Sequence, residues 1–236
     1  MTHMSLSEHF AAVEARIAAA CRLANRPSDS VRLLAVSKTI PPARIAEAAR
    51  LGQIAFGENY VQEALPKLAA LASLPLEWHF IGPIQSNKTA DIATHFDWAQ
   101  GVDRLKIAQR LSSQRPAGRP PLNICVQVNV SGEVSKSGCQ PGEALTLCRD
   151  IQTLPGLNLR GLMALPAPVT SAAEARASLR TLRTLFDTLR NEMPAVDTLS
   201  MGMSDDLELA IAEGSTLVRV GTALFGARAA GKTTTE

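Results

Sequence analysis

Residues 31–58, VRLLAVSKTIPPARIAEAARLGQIAFGE, read as strand, helix, strand. VRLLAVSK (31–38) and IAFGE (54–58) are short apolar runs with β-branched or aromatic residues. PARIAEAARLG between them carries proline near its first turn and Gly52 after its last, the positions those residues suit. Two strands joined by a crossover helix form the repeating unit of a parallel sheet.

The same unit recurs outward in both directions. Further strands are expected at EWHFIG (77–82), WAQGV (98–102), NICVQVNV (123–130), NLRGLMAL (158–165), TLSMGM (198–203) and TLVRVG (216–221), which makes eight units in all. Eight strands flanked by helices point to an α/β fold, a single TIM-type (β/α)8 barrel. A doubly wound open sheet is the alternative, because periodicity reports parallel strands without saying whether the first meets the last. MTHMSLSEHFAAVEARIAAACRLA (1–24) adds an amphipathic N-terminal helix with Glu8, Glu14 and Arg16 inside it. RPAGRPP (115–121) reads as a loop, not an interdomain linker, so one domain over residues 1–228 suffices. The polar end AAGKTTTE leaves residues 229–236 as an expected disordered tail.

Composition excludes several functions. The chain has 236 residues, 46% of them hydrophobic and 19% charged, enough to bury a full core. Its formal charge of +2 comes from basic residues scattered among acids, so no nucleic acid partner is expected. The longest apolar stretches, such as LPKLAALASLPLEW (65–78), meet charges or prolines before ~20 residues, so no membrane association is expected and a cytoplasmic location follows. Cys21, Cys125, Cys139 and Cys148 form no CxxC pair and read as buried small hydrophobes. The four histidines show no metal-ligand spacing.

In either architecture ligands gather where the carboxyl ends of strands give way to loops. The polar or distinctive residues there are Ser37, Lys38, Glu58, Asn59, His79, the SGEVSKSG loop (131–138) with Lys136, Met163, the MGMSDD segment (201–206), Arg219, Gly221 and Thr222. Lys38 closes the apolar run LLAVSK. A neutral ε-amine condenses with a carbonyl, so this lysine is a Schiff-base candidate, although most lysines that close a strand are solvated ends. Ser204 stands just before a helix, and Asp205 with Glu208 has capping-box spacing. Gly221 permits close backbone approach and Thr222 adds a donor, a combination suited to a phosphate. Arg219 interrupts an apolar strand and points into the barrel mouth or out toward the helices; buried, it needs an acceptor. GARAAGKT (226–233) fits the P-loop pattern letter by letter, but only three residues follow it, too few for the helix that a P-loop requires.

Taken together, LLAVSKT, FGENYVQEALPK, WHFIGPIQSNK, SGEVSKSG, RGLMALPAP and LSMGMSDDLELAIAEGSTLVRVGTALFGAR resemble the YggS/PROSC family of pyridoxal 5′-phosphate (PLP)-binding proteins, from about residue 31 to 228. The resemblance implies a barrel like the N-terminal domain of bacterial alanine racemase. It also implies a role in intracellular PLP homeostasis as a cofactor carrier or buffer, without a known turnover reaction. By the same resemblance Lys38 is the Schiff-base lysine, Ser204, Gly221 and Thr222 cradle the phosphate, and Arg219 faces the pyridine nitrogen. Asn59 bonds near the ring hydroxyl or the aldimine and Met163 packs against the ring, while Lys136 is a candidate for phosphate or a second aldehyde beside its plainer reading as a solvated loop lysine.

Racemisation needs a second acid–base group opposite the lysine. The one tyrosine, Tyr60, reads as a packing residue at a helix start, and His79 beside Trp78 reads as structural. A non-catalytic PLP binder is therefore expected, with an amino-acid racemase or similar PLP enzyme as the alternative and a cofactor-free interaction module as a further rival. PLP-dependent apoenzymes are the implied partners and a monomer the expected state.

Overall fold

In a computed structural model, residues 4–131, 137–165 and 171–226 are described. The chain alternates helix and strand throughout: α1 (Leu6–Leu23), β1 (Arg32–Val36), α2 (Pro42–Arg50), β2 (Ala55–Glu58), α3 (Val61–Ala70), β3 (Glu77–Phe80), α4 (Thr89–His95) and β4 (Trp98–Val102). Then follow α5 (Leu105–Gln114), β5 (Leu122–Gln127), α6 (Pro141–Gln152), β6 (Leu157–Met163), α7 (Ala172–Glu192), β7 (Thr198–Ser200), α8 (Leu207–Ala212), β8 (Leu217–Val220) and α9 (Thr222–Phe225). All eight expected strands exist, most of them trimmed at their ends. Lys38, expected as the last residue of a strand, lies instead in the turn that leaves β1.

The sheet closes. Strands run in order β1 to β8, all parallel, and Arg32, Leu33, Leu34 and Ala35 of β1 pair with Leu217, Val218, Arg219 and Val220 of β8. This pairing excludes the open sheet. The seam between β7 and β8 is thin, with Ser200 opposite Leu217 as its ladder pair, and is extended by bonds from Met201 N to Leu217 O and from Arg219 N to Gly202 O.

Strand alternation sorts side chains into two compartments. One set, including Phe56, Phe80, Ala99, Val126, Leu162, Leu199, Val218 and Val220, packs outward against the helices in one continuous core. The opposite set fills the barrel: Leu34, Ala55, Ile81 and Leu217 form one small cluster, and Trp98, Cys125 and Met163 form another. Hence Ser37 and Glu58, in phase with Ala35 and Phe56, face α3, whereas Leu217 and Arg219 face inward.

Local chemistry supports the helices. Ser5 and Glu8 form a capping box at α1, and Pro42 opens α2. The expected N-terminal helix is thus α1. It packs along α8 and α9, where Phe10 meets Phe225 edge-on at 6.2 Å and His9 Nδ1 donates to Ala223 O at 3.0 Å. The four cysteines are free and buried. Among the described residues no helix is long and apolar enough to cross a membrane.

Candidate functional site at the barrel mouth

The turn after β1 carries Lys38. Ile40 N donates to Ser37 O at 2.9 Å, which closes a four-residue turn, and Thr39 in its third position has φ of 66°. That position usually takes glycine or asparagine, because a β-branched side chain is strained there. Val36, Lys38, Thr39, Ile40, Gly221 and Thr222 line a cavity of about 110 Å³, so the β1 and β8 ends expected to share a ligand do meet. Closure puts them side by side. A Cβ added to Gly221 would stand 3.3 Å from the Val36 carbonyl oxygen and Cβ, so glycine lets the two strand ends crowd together.

Arg219 does not line this cavity; it is 2% exposed and resolves the two-way expectation by pointing into the barrel. Its Nη1 donates to Ser200 Oγ and its Nη2 to Ala164 O, both at 2.7 Å. Burial pulls its pKa down to about 10, partly offset by the Asp206 carboxylate, so it remains a cation at neutral pH. Both acceptors are neutral, and a buried guanidinium with neutral partners favours a further acceptor.

Asn59 follows β2, and its Oδ1 is buried with no hydrogen-bond partner among the described residues. A buried carbonyl oxygen in this state suits a donor from a ligand. The Asn59 backbone is clamped from behind, since a Cβ on Gly82 would fall 2.3 Å from its carbonyl oxygen. Met163, at the end of β6, is fully buried against Trp98 and Cys125. Ser204 lies in the turn before α8, partly buried, with its carbonyl accepting from Arg16 at 2.8 Å.

The expected capping box between Asp205 and Glu208 does not form. Asp206 is the N-cap residue, its Oδ1 accepting from Met203 N at 2.6 Å, while Glu208 is drawn to Arg16 of α1 at 2.7 and 3.0 Å. A charge-assisted bidentate pair outcompetes a bond to one backbone N–H. Lys136 lies outside the described residues, as do the P-loop-like segment beyond Gly226 and the tail 229–236.

Two polar arrangements escaped the sequence reading. The first crosses the barrel interior: Arg219 donates to Ser200 Oγ, Ser200 donates to Gln100 Oε1 at 2.6 Å, Gln100 Nε2 donates to His79 Nδ1 at 2.8 Å, and His79 Nε2 donates to Glu77 Oε1 at 2.7 Å. Arg32, at the opposite end of the barrel, closes the chain on Glu77 at 2.7 Å. His79 must be neutral to accept from Gln100. Burial lowers its pKa and outweighs the pull of Glu77, whose own carboxyl is held down at about 2 by His79 and Arg32 in spite of burial. His79 also stacks on Trp98 at 4.8 Å, so its ring and both its nitrogens are held by neighbours in the barrel. The sequence signal for this chain was Gln100 inside an otherwise apolar strand.

The second arrangement stands behind Lys38. Lys67 of α3, 7% exposed, donates from Nζ to Ser37 O at 2.8 Å and to Glu58 Oε1 and Oε2 at 2.9 and 3.1 Å. Ser37 Oγ donates to the same carboxylate at 2.5 Å. Burial raises the Glu58 pKa, against the opposing effects of Ser37 and Lys67. Lys67 sits in phase with Val61 and Ala64 on the buried stripe of α3, so a charged residue on an apolar helical face was its signal.

Comparison with known proteins adds the lineage. The model of the alanine racemase N-terminal domain family matches residues 9–229. Proteins named pyridoxal phosphate homeostasis protein match nearly end to end: that of Pseudomonas aeruginosa is 60% identical over 95% of this chain and 96% of its own, and that of Escherichia coli K12 is 50% identical over 94% and 97%. Among solved structures, PipY of Synechococcus elongatus with PLP bound superposes with a TM-score of 0.81 at 39% identity, covering 94% of this chain and 100% of that one. Alanine racemase of Clostridium difficile shares the fold, with a TM-score of 0.73 at 14% identity over 91% of this chain and 55% of the racemase. By identity and near-complete coverage, this chain belongs to the family of the pyridoxal phosphate homeostasis proteins, within the larger group built on the alanine racemase N-terminal domain.

Proposed function

We propose that this chain binds PLP at the carboxyl-end mouth of the barrel, covalently at Lys38 Nζ, and serves as a carrier or buffer of the cofactor in the cytoplasm. The observation that carries the reading is the convergence of Lys38, Gly221 and Thr222 on one cavity, with the buried cation of Arg219 two residues before Gly221 on the same strand and the unpaired Asn59 Oδ1 at the end of β2, the strand paired with β1. These groups fit the cofactor: an amine for its aldehyde, a glycine-floored corner for its phosphate, a fixed donor for its ring nitrogen and an acceptor for its hydroxyl. The cavity is small beside the ~300–1,000 Å³ of pockets that enclose a whole ligand, so it suits the phosphate end, leaving the ring to lie across the open mouth. Larger hollows of about 520 Å³ beside α3, with His95, Asp97 and Arg119 in its lining, and of about 440 Å³ between α2 and the loop before β3 lack a lysine placed to meet an aldehyde.

When bound, PLP supplies an electrophilic aldehyde and an electron-withdrawing ring. Arg219 donates to the ring nitrogen without giving up a proton, which weakens the ring as an electron sink and disfavours carbanion chemistry. Ser204 adds a hydroxyl at the phosphate and Met163 an apolar support for the ring. Of the two further acid–base candidates, Tyr60 stands 58% exposed at the start of α3 rather than packed there as expected, and both nitrogens of His79 are engaged within the barrel. Holding without turnover is what these residues favour. PLP-dependent apoenzymes are the proposed recipients, and the protein acts as a monomer.

Borohydride reduction of the PLP-loaded protein followed by peptide mapping tests the site. An adduct on the Lys38 peptide is expected; adducts on scattered surface lysines, or none, overturn the reading. Incubation with a panel of free amino acids, followed by chiral chromatography, is expected to show no turnover, and racemisation at enzymatic rates would replace the carrier by an enzyme. Light scattering that shows a stable dimer would remove the monomer.

A further inference from the structure

We infer that the buried Glu58–Lys67 ion pair is a positioning device for Lys38, in which Lys67 fixes the Ser37 carbonyl that anchors the strained turn carrying the Lys38 amine. The inference rests on the reading of Lys38 as the PLP-bearing residue and assigns a role to residues outside the cofactor's own contacts.

Besides a longer bond from its hydroxyl to Gly57 O at 3.4 Å, four short interactions converge on Ser37, the residue before Lys38. Its N–H donates to Gly57 O at 2.9 Å, its hydroxyl to Glu58 at 2.5 Å, and its carbonyl accepts from Ile40 N at 2.9 Å and from Lys67 Nζ at 2.8 Å. Strand pairing and an ordinary turn account for the two backbone bonds. The other two come from charged groups on β2 and α3, placed behind the sheet where an apolar contact would serve packing equally well. An ion pair there costs desolvation, and what it adds is a directed, charge-assisted bond to one carbonyl oxygen.

That carbonyl has a task. The turn it anchors holds Thr39 at φ of 66°, a conformation that a β-branched residue adopts only where its surroundings impose it. Without the Lys67 bond, the turn keeps one hydrogen bond against that strain and relaxes. Lys38, the turn's second residue, then no longer points steadily at the cavity shared with Gly221 and Thr222. Lys67 thus acts through the backbone of Ser37 and touches neither Lys38 nor the cofactor.

The test compares Lys67→Met, Thr39→Gly and the double variant by three readouts: the PLP release rate from visible absorbance, hydrogen exchange at the Ile40 amide, and the melting temperature of the PLP-free protein. Lys67→Met is expected to speed PLP release at least about tenfold, a change equal to about 1.4 kcal/mol, and to expose the Ile40 amide. Adding Thr39→Gly, which removes the strain, is expected to slow release again while the melting temperature stays lowered. A packing role alone would lower the melting temperature and leave release unchanged.

Release from Lys67→Met within twofold of the parent, or no recovery on adding Thr39→Gly, overturns the inference. Should Lys67→Met not fold, the parent protein decides: Ile40 equally protected with and without PLP supports a preset turn, and protection only with PLP refutes it. A parent adduct absent from Lys38 removes both the site and the device, whereas an adduct on Lys38 whose release ignores Lys67 removes the device alone.

Discussion

Replacing Ser200 by alanine interrupts the polar chain across the barrel at its centre. Ser200 is fully buried, and its hydroxyl does two things at once: it accepts from the Arg219 guanidinium at 2.7 Å and donates to Gln100 Oε1 at 2.6 Å. Ser200→Ala removes one oxygen and almost no volume, so the cavity contribution is small. What remains is a charged donor and an amide oxygen, each robbed of a buried partner. At about 1–3 kcal/mol for each of the two groups left unsatisfied, the fold should lose about 2–6 kcal/mol, a large share of the ~5–15 kcal/mol of a typical domain. Urea denaturation of the PLP-free protein measures this as a lower midpoint at unchanged m-value. Gln100→Leu cuts the same chain one link on and orphans Ser200 and His79 Nδ1. If the chain acts as a unit, the double variant should lose clearly less than the sum of the single ones. A loss below about 1 kcal/mol for Ser200→Ala, or strict additivity with Gln100→Leu, would show that the chain is a set of incidental contacts and that Arg219 is held by Ala164 alone.

Stability should fall with acid. His79 has a folded pKa depressed by burial, so below its unfolded value near ~6.5 the unfolded chain takes up a proton that the folded one resists, at a slope of at most about 1.4 kcal/mol per pH unit. Glu77, held at about 2, extends the decline from its unfolded value near ~4.3 downward. Denaturation midpoints from pH 8 to 5 should therefore flatten in His79→Gln, and an unchanged pH profile would refute the neutral-histidine assignment. Gly82→Ala should weaken PLP binding about tenfold, about 1.4 kcal/mol, because its Cβ would strike the Asn59 carbonyl oxygen at 2.3 Å and displace that side chain; unaltered affinity by titration would remove Asn59 from the site. A thiol reagent should modify none of the four buried cysteines in the native protein and all four in urea. Burial pushes Cys139 and Cys148 up to about 12 and Cys125 also upward, so rapid native labelling of any of these three would contradict their placement.

The alternation of short apolar runs with helical segments located every strand, because hydrophobic periodicity is a local property of the chain. Strand ends were less legible: VRLLAVSK yields a strand that stops at Val36, since the ladder ends where the neighbouring strands turn away, and neighbours are not written in the segment itself. Lys38, Gly221 and Thr222 could be nominated from sequence, as strand-end residues of the right chemistry and then by resemblance. Their meeting at one cavity needed β1 to pair with β8, residues 185 positions apart in the chain. The same holds more strongly for the supporting residues. Gln100 and Ser200 stand a hundred positions apart and share a hydrogen bond because both face into a closed barrel. Lys67 stands out in sequence only as a charge on the apolar stripe of a helix, and it is the fold that sets its ammonium against the Ser37 carbonyl. Sequence by itself determined the elements and their order, since these follow from local pattern, and the resemblance of its long motifs to a known family pointed to the lineage. Tertiary structure alone decided closure, the inward aim of Arg219 and the partners of each buried charge, because a buried polar group's partner is chosen by geometry in three dimensions.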